Sequence, residues 1–86
     1  MNLNELRNEI DDIDLHMIEL FKKRMAVSKQ IGKIKRELGL PVFDPIREEF
    51  ILEKRRNQLN NEDLWPYYRS FLVKLFDLSK EYQHHE

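Results

Sequence analysis

An apolar repeat runs through the first 38 residues and constrains the fold more than any other feature. Its members recur in alternating steps of three and four residues, which is the spacing of a heptad seam along one helix. They are Leu3, Leu6, Ile10, Ile13, Met17, Leu20, Val27, Ile31, Ile34 and Leu38. The spacing predicts one helix over about residues 3–38, with Asn2 or Asn4 as a candidate N-cap. Gly39 can end the helix, with Pro41 just beyond it.

A helix of this length is too long for the rest of the chain to cover. At 1.5 Å per residue it extends for about 50 Å, whereas the whole chain has only 86 residues. Gly32 lies inside it and costs about 1 kcal/mol of helix propensity, but the repeat continues through Gly32 in register. Because a small chain cannot bury such a seam alone, a second subunit is expected to pack along it.

Two shorter helices are expected to follow. Asp44 and Pro45 are an N-cap and a first-turn proline, and Asn60-Asn61 ends the second helix. The third helix starts near Asp63 or Leu64, because Pro66 is tolerated only in a first turn. The expected apolar contacts of these two helices are Ile46, Phe50, Ile51, Leu52 and Leu59, then Tyr68, Phe71, Leu72, Leu75 and Phe76. With 36% charged and only 10% aromatic residues, the chain is predicted to be all-α, a single domain over residues 1–86.

Composition argues against several classes of function. A net charge of -1 gives no indication of nucleic-acid binding, and the absence of cysteine excludes disulfides and thiolate metal sites. His16, His84 and His85 lack metal-ligand spacing, and the terminal pair carries no weight in the interpretation. There is no phosphate-binding glycine loop and no plausible catalytic triad. No apolar run could span a membrane and no signal peptide is visible, so a cytoplasmic protein is expected.

Basic residues interrupt the apolar pattern of the first helix. Arg24 occupies a seam position, between Leu20 and Val27, where an aliphatic side chain is expected. Arg7 and Lys35 flank the same seam. Arg24 could form a buried ion pair or extend to the rim, and Arg7 and Lys35 could simply be solvated. A buried cation otherwise needs an anionic ligand.

Helix geometry separates these three cations. Arg24 and Lys35 are 11 residues apart, close to three turns, so they share a face with their backbones about 16 Å apart. Two long side chains at that spacing could converge on a small dianion. Arg7 lies about 25 Å from Arg24 along the axis. It could reach the same ligand only from another subunit.

Five further polar residues are candidates for the site. Asp44 could be a plain N-cap, and Arg47 and Glu48 could belong to a solvated first turn. Ser79 and Gln83 continue an apolar stripe at a spacing of four residues, and they could be a polar patch near a helix end. Each alternative stays open from the residues alone.

Taken together, the chain resembles the all-helical (AroQ-type) chorismate mutases over essentially its whole length. The first group of matching residues is Leu6-Arg7, Ile10-Asp11, Ile13-Asp14, Leu20, Arg24 and Ile31-Gly32-Lys33-Ile34-Lys35. The second group is Pro41-Val42-Phe43-Asp44-Pro45-Ile46-Arg47-Glu48, and the third is Ser79 and Gln83. The resemblance implies an intertwined homodimer of three-helix protomers with two equivalent sites. It also implies the Claisen rearrangement of chorismate to prephenate in phenylalanine and tyrosine biosynthesis, with no metal and no cofactor.

The resemblance assigns roles to the cations and to the third helix. Arg7, from the partner, and Arg24 would bind the substrate carboxylates. Lys35 would contact a carboxylate and the ether oxygen, and Gln83 would donate its amide to that oxygen. Ser79 would bond a carboxylate. Lys35, Gln83 and Arg24 are therefore the catalytic candidates, and the amide of Gln83 implies activity that needs no protonated carboxyl.

The remaining roles fall at the start of the second helix. Glu48, with the backbone near Asp44, would take the ring hydroxyl of the substrate. Arg47 would support the site or contact the ligand directly.

Three rival interpretations remain at this stage. The chain also resembles the isochorismate pyruvate lyases, which have the same fold and a similar basic pocket. A non-catalytic coiled-coil module would tolerate Arg24 as a register-setting residue, but it would not explain Lys35, Glu48 and Gln83 together. A regulatory domain within a larger shikimate-pathway assembly, with a partner enzyme that activates it, is also left open.

Overall fold

The computed structural model is built from three helices and describes residues 2–84 of the chain. They are α1 (Leu3–Leu38), α2 (Pro45–Leu59) and α3 (Trp65–Gln83). The prediction of an all-α fold with a long first helix is confirmed. Met1, Glu86 and His85, one member of the C-terminal histidine pair, lie outside the described residues.

Local signals account for both ends of α1. The Asn2 side chain accepts a hydrogen bond from the Glu5 backbone N–H at 2.9 Å, and the Glu5 carboxylate accepts one from the Asn2 backbone N–H at 3.2 Å. This reciprocal pair is a capping box, so Asn2 rather than Asn4 is the cap. Gly39 ends the helix with φ at 68°, a left-handed conformation that costs glycine little.

The ends of α2 and the start of α3 follow equally local rules. The Asp44 carboxylate accepts from the Arg47 backbone N–H at 3.0 Å, and Pro45 is in the first turn. Asn60 ends α2 in the left-handed region, with φ at 49°. The Asn61 side chain accepts from the Leu64 backbone N–H at 3.1 Å, which closes a turn before α3. The third helix therefore begins at Trp65, slightly later than predicted.

The helix α3 lies between the other two, since α1 and α2 both pack against it within the described chain. The buried core consists of Leu52 from α2 and Trp65, Leu72 and Phe76 from α3. Two of the expected apolar residues of α2 are not buried within the protomer, since Ile46 is 83% exposed and Phe50 is 56% exposed. Both lie on a different face of α2 from the buried Leu52.

The heptad seam of α1 is left uncovered in the protomer. The residues that α1 buries against α3 are Ser28 and Gly32, on a different face, whereas Val27 on the seam is 52% exposed. Residues 3–23 are exposed throughout, and the molecule is elongated, at 54 × 29 × 15 Å. No helix within residues 2–84 combines the length and apolar character needed to cross a membrane.

Candidate active site

The backbones of α1 and α3 approach each other closely at Gly32. A Cβ atom at this position would lie 2.6 Å from the Gln83 carbonyl oxygen and 2.8 Å from Gln83 Cβ. The next turn of α1 adds Arg36, whose Nη1 donates to the same Gln83 carbonyl at 2.6 Å. The reason for a glycine at this position, despite its cost in helix propensity, therefore lies in the contact with α3. Gly32 and Arg36 together hold the last turn of α3, and Gln83 with it, directly against α1.

We expect Gly32→Ala to lower the free energy of unfolding by about 1 kcal/mol, because overpacking costs about 1–3 kcal/mol and outweighs the roughly 1 kcal/mol gained in helix propensity. Chemical denaturation at matched protein concentration measures the difference. Lys33→Ala, at an exposed position next to it, is the control for an alanine substitution that does not face α3. A Gly32→Ala protein more stable than wild type would contradict the close approach.

Arg24 is half-buried and donates from Nη1 to the Ser79 hydroxyl at 2.5 Å. Burial lowers the pKa of Arg24, and the nearby guanidinium of Arg55 lowers it further. Among the ion pairs of residues 2–84, none involves Arg24, so the buried ion pair considered from the sequence is not found. Two neighbouring guanidiniums without a carboxylate partner form a local positive field that favours an anionic ligand.

We expect Arg24→Met to raise the free energy of unfolding by up to about 1 kcal/mol, as is common when a residue adapted to binding is replaced by an apolar one. The variant removes a partly desolvated cation that faces Arg55, and it keeps a long apolar stem. The Ser79 hydroxyl can then bond a carbonyl of its own helix. Thermal unfolding compares the two proteins, and a clear drop in stability would show that Arg24 is a structural residue.

Lys35 and Gln83 are two predicted site residues whose polar side chains are withdrawn from solvent. Lys35 is half-buried, and its Nζ donates to the Val42 carbonyl at 3.0 Å, so it is not a solvated surface residue. Gln83 is only 7% exposed, and its Oε1 has no hydrogen-bond partner in the described part of the chain. A buried amide oxygen left in this way is costly. Its isolation is typical of a site that a ligand completes.

Glu48 and Lys80 connect the start of α2 to the end of α3. Glu48 Oε2 lies 2.9 Å from Lys80 Nζ, and the two side chains are only 25% and 24% exposed. The Phe43 ring centroid lies 4.4 Å from the same ammonium. The hydrogen bond to Glu48 raises the pKa of Lys80, so this ammonium stays protonated at neutral pH.

The other predicted residues are not brought into contact with this region. Asp44 caps α2 with its side chain, as its simpler interpretation required. Arg47 is exposed and lies over the Phe50 ring, 5.4 Å from its centroid. Arg7 lies on the exposed half of α1, 17 residues before Arg24. Of the predicted set, Arg24 and Ser79 are in direct contact, and Lys35, Glu48 and Gln83 lie on the elements around them.

An apolar groove of about 670 Å³ runs between α1 and α3 and includes Arg24 in its lining. Its apolar lining includes Met17, Leu20, Phe21, Phe71, Leu75 and Leu78. Several of these side chains belong to the heptad seam or lie beside it. The groove and the seam therefore form one continuous apolar surface next to the positive field of Arg24.

The chain was compared with known protein families, and one family model matches nearly its whole length. The family model described as chorismate mutase type II covers residues 6–84. The chain belongs to this family. The family and the fold class predicted from the sequence are thereby confirmed.

Individual relatives of the chain agree with the family model. It is 46% identical over 54 residues to the T-protein of Haemophilus influenzae, which covers 63% of this chain and 14% of that protein. It is 39% identical over 54 residues to the chorismate mutase of Methanocaldococcus jannaschii, covering 63% and 54% respectively. A solved structure described as a conserved hypothetical protein from Pyrococcus furiosus is 40% identical, with a TM-score of 0.78 and 95% of both chains covered. The matches thus span between about a seventh and about half of these two curated relatives.

Four residues around this site were not among the predicted site residues. Arg36 and Gly32 fix the backbone of Gln83, Lys80 pairs with Glu48, and Arg55 adds positive charge near Arg24. Lys80 and Arg55 could have been noticed as cations beside the apolar stripes of α3 and α2. Arg36 has no such signal, since its contact joins residues 47 positions apart.

Proposed function

We propose that the chain catalyses the Claisen rearrangement of chorismate to prephenate, in the biosynthesis of phenylalanine and tyrosine. The carrying observation is the set of Arg24, Lys35 and Gln83 on facing surfaces of α1 and α3. Neither cation has a carboxylate partner within residues 2–84, and Gln83 carries a buried side-chain amide whose NH2 group can donate to a ligand oxygen. Chorismate is a dicarboxylate with an ether oxygen, which suits such a set of cations and amide groups.

Catalysis of this reaction depends on positioning of the substrate and on electrostatic stabilisation, and not on a side chain that reacts with the substrate. The rearrangement is unimolecular, so no nucleophile or proton transfer is needed. The substrate must be held in a compact geometry in which its two reacting carbons meet. The ether C–O bond lengthens as the new C–C bond forms, and the ether oxygen gains negative charge. Donors already fixed around that oxygen stabilise the transition state more than the ground state.

The described contacts support a division of these tasks. Arg24, held by Ser79, is suited to bind one carboxylate, and Ser79 Oγ is available to bond the same group. Lys35 can exchange its bond to the Val42 carbonyl for a carboxylate and the ether oxygen. Gln83, held in place through its own backbone by Arg36, would donate its amide to the ether oxygen.

The start of α2 would bind the ring hydroxyl. Glu48 Oε2 bonds Lys80, so its other oxygen is the expected acceptor for the hydroxyl proton. The backbone near Asp44 would add a second contact. Arg47 is the least constrained of the predicted residues, and we assign it a supporting role at the rim because it is exposed.

We also propose that the active enzyme is a homodimer in which Arg7 acts across the subunit boundary. The seam of α1 and the adjoining groove leave an apolar surface that a second α1 would cover. Arg7 of one chain would then lie near Arg24 of the other, where it could bind a substrate carboxylate. Light scattering of the purified protein gives the oligomeric state directly.

Incubation with chorismate tests the proposed activity. We expect chorismate to disappear with prephenate as the product, identified by its chromatographic retention, since the two compounds have the same mass, and by its acid conversion to phenylpyruvate. Release of pyruvate from isochorismate, without turnover of chorismate, would favour the lyase instead. No turnover of either compound by a folded dimer would favour a non-catalytic module or an enzyme that a shikimate-pathway partner activates. The cytoplasmic location expected from the sequence stays a prediction, which cell fractionation checks.

A further inference from the structure

We propose that Lys80 is a positioning residue for Glu48: it fixes the Glu48 carboxylate at the substrate site and cancels its charge beside a dianionic substrate. The proposal rests on the function proposed above and extends it to a residue with no role in that scheme. It would make binding of the ring hydroxyl depend on a cation that does not touch the substrate.

The contacts of Lys80 fix its ammonium group closely. Its Nζ lies 2.9 Å from Glu48 Oε2 and 3.5 Å from Asp77 Oδ1, and it sits over the Phe43 ring at 4.4 Å from the centroid. These partners come from α2, α3 and the segment that joins α1 to α2. An ammonium held from three sides has little freedom to turn towards another ligand.

The carboxylate of Glu48 would repel a dianionic substrate, and the ammonium of Lys80 offsets this repulsion. An ionised carboxylate close to the cations of a dianion site repels the substrate that those cations attract. The Glu48 side chain is only 25% exposed, so water screens this repulsion incompletely. Lys80 supplies the compensating charge from the far side of Glu48. The Glu48–Lys80 pair is then neutral, while the Asp77 carboxylate, 52% exposed, is screened by water. The free oxygen of Glu48 still accepts a hydrogen bond.

The position of Lys80 on α3 suits this role. It directly follows Ser79, which contacts Arg24 of α1, and it precedes Gln83 by three residues. Ser79 therefore faces α1 while Lys80 bonds Glu48 of α2. The last turns of α3 hold the carboxylate-binding side and the hydroxyl-binding side of the proposed site in one rigid element.

The test compares kcat and KM for chorismate in the wild-type protein and its Lys80 variants. We expect Lys80→Met to lower kcat/KM about tenfold, the value of one charge-assisted hydrogen bond. Most of the loss should appear as a higher KM, because the ring hydroxyl is remote from the bonds that change and the unpaired carboxylate repels the substrate. Lys80→Arg, which keeps the charge, should recover most of the loss. Lys54→Met, at an exposed lysine of α2, is the control and should behave as wild type.

A double-mutant cycle with Glu48→Gln separates positioning from a structural role. A neutral amide needs no compensating charge, so adding Lys80→Met to Glu48→Gln should change KM less than about twofold. Equal losses in both backgrounds would overturn the proposal, as would a fall in kcat and thermal stability at unchanged KM. If Lys80→Met does not fold, Lys80→Gln replaces it in the same cycle, with the same outcomes deciding. An inactive wild-type protein would instead overturn the proposed function, so the two failures are distinguishable.

Discussion

Lys35→Ala will lower kcat/KM for chorismate by about a thousandfold, the upper range for removal of one donor that stabilises a developing oxyanion. The proposed place of Lys35 between a substrate carboxylate and the ether oxygen makes its charge most effective in the transition state. Its half-buried position strengthens that interaction, because the local dielectric is lower than in water. Steady-state kinetics with chorismate measures the effect.

The folding cost of the same change is expected to be small. Lys35 makes one charge-assisted hydrogen bond to the Val42 carbonyl. Such a bond contributes about 1.5–3 kcal/mol, but Val42 is only half-buried, so water can replace the ammonium there. Circular dichroism and the unfolding midpoint should therefore stay close to wild type. Lys33→Ala, two residues earlier and exposed, is the matched control and should keep full activity. Near-normal turnover by Lys35→Ala would show that the role assigned to this lysine is wrong.

Mixing two inactive variants will restore activity if the site is shared. We expect Arg7→Ala and Lys35→Ala homodimers each to be nearly inactive. After unfolding and refolding together, random pairing should return about a quarter of wild-type activity, since half of the dimers are mixed and each has one intact site. In that site Lys35 comes from one chain and Arg7 from the other.

The matched control for this experiment pairs Arg24→Met with Lys35→Ala. Both residues belong to the site of their own protomer, so a mixed dimer has one lesion in each site and stays inactive. Recovery in this control would point to refolding artefacts. Failure of the Arg7→Ala and Lys35→Ala mixture to recover, with dimers verified by light scattering, would rule out the shared site.

The helix boundaries could be predicted because their causes lie within a few residues in the chain. Asn2 and Glu5 form a capping box, Gly39 takes the left-handed cap, and Asp44 caps α2 in front of Pro45. Each depends on backbone groups one turn away. Local sequence does not show which face of a helix meets the core. The burial of Ile46, an apolar side chain near the start of α2, was therefore mispredicted for the protomer.

The contacts within the site could be predicted only in part, because they join distant positions. Arg24 and Ser79 are 55 residues apart, and only the family resemblance placed them in one site. Lys80 and Glu48 are 32 residues apart, and neither interrupts an apolar stripe in a way that indicates the other. Gly32 shows the same limit. The sequence reveals that a glycine inside α1 costs helix propensity, but not that a larger residue would collide with the backbone of Gln83.

The uncovered first half of α1 has a consequence for how the protein tolerates heat. Residues 3–23 are exposed in the protomer, and an isolated helical segment of this length is only marginally stable in water. In the proposed dimer, the same encounter that covers this segment also brings Arg7 to its site. Folding of this helix segment, dimerisation and completion of the active site are then coupled in one equilibrium, and dilution shifts that equilibrium towards the separate chains. The amount of the protein that a cell makes thus becomes one of the determinants of its working temperature.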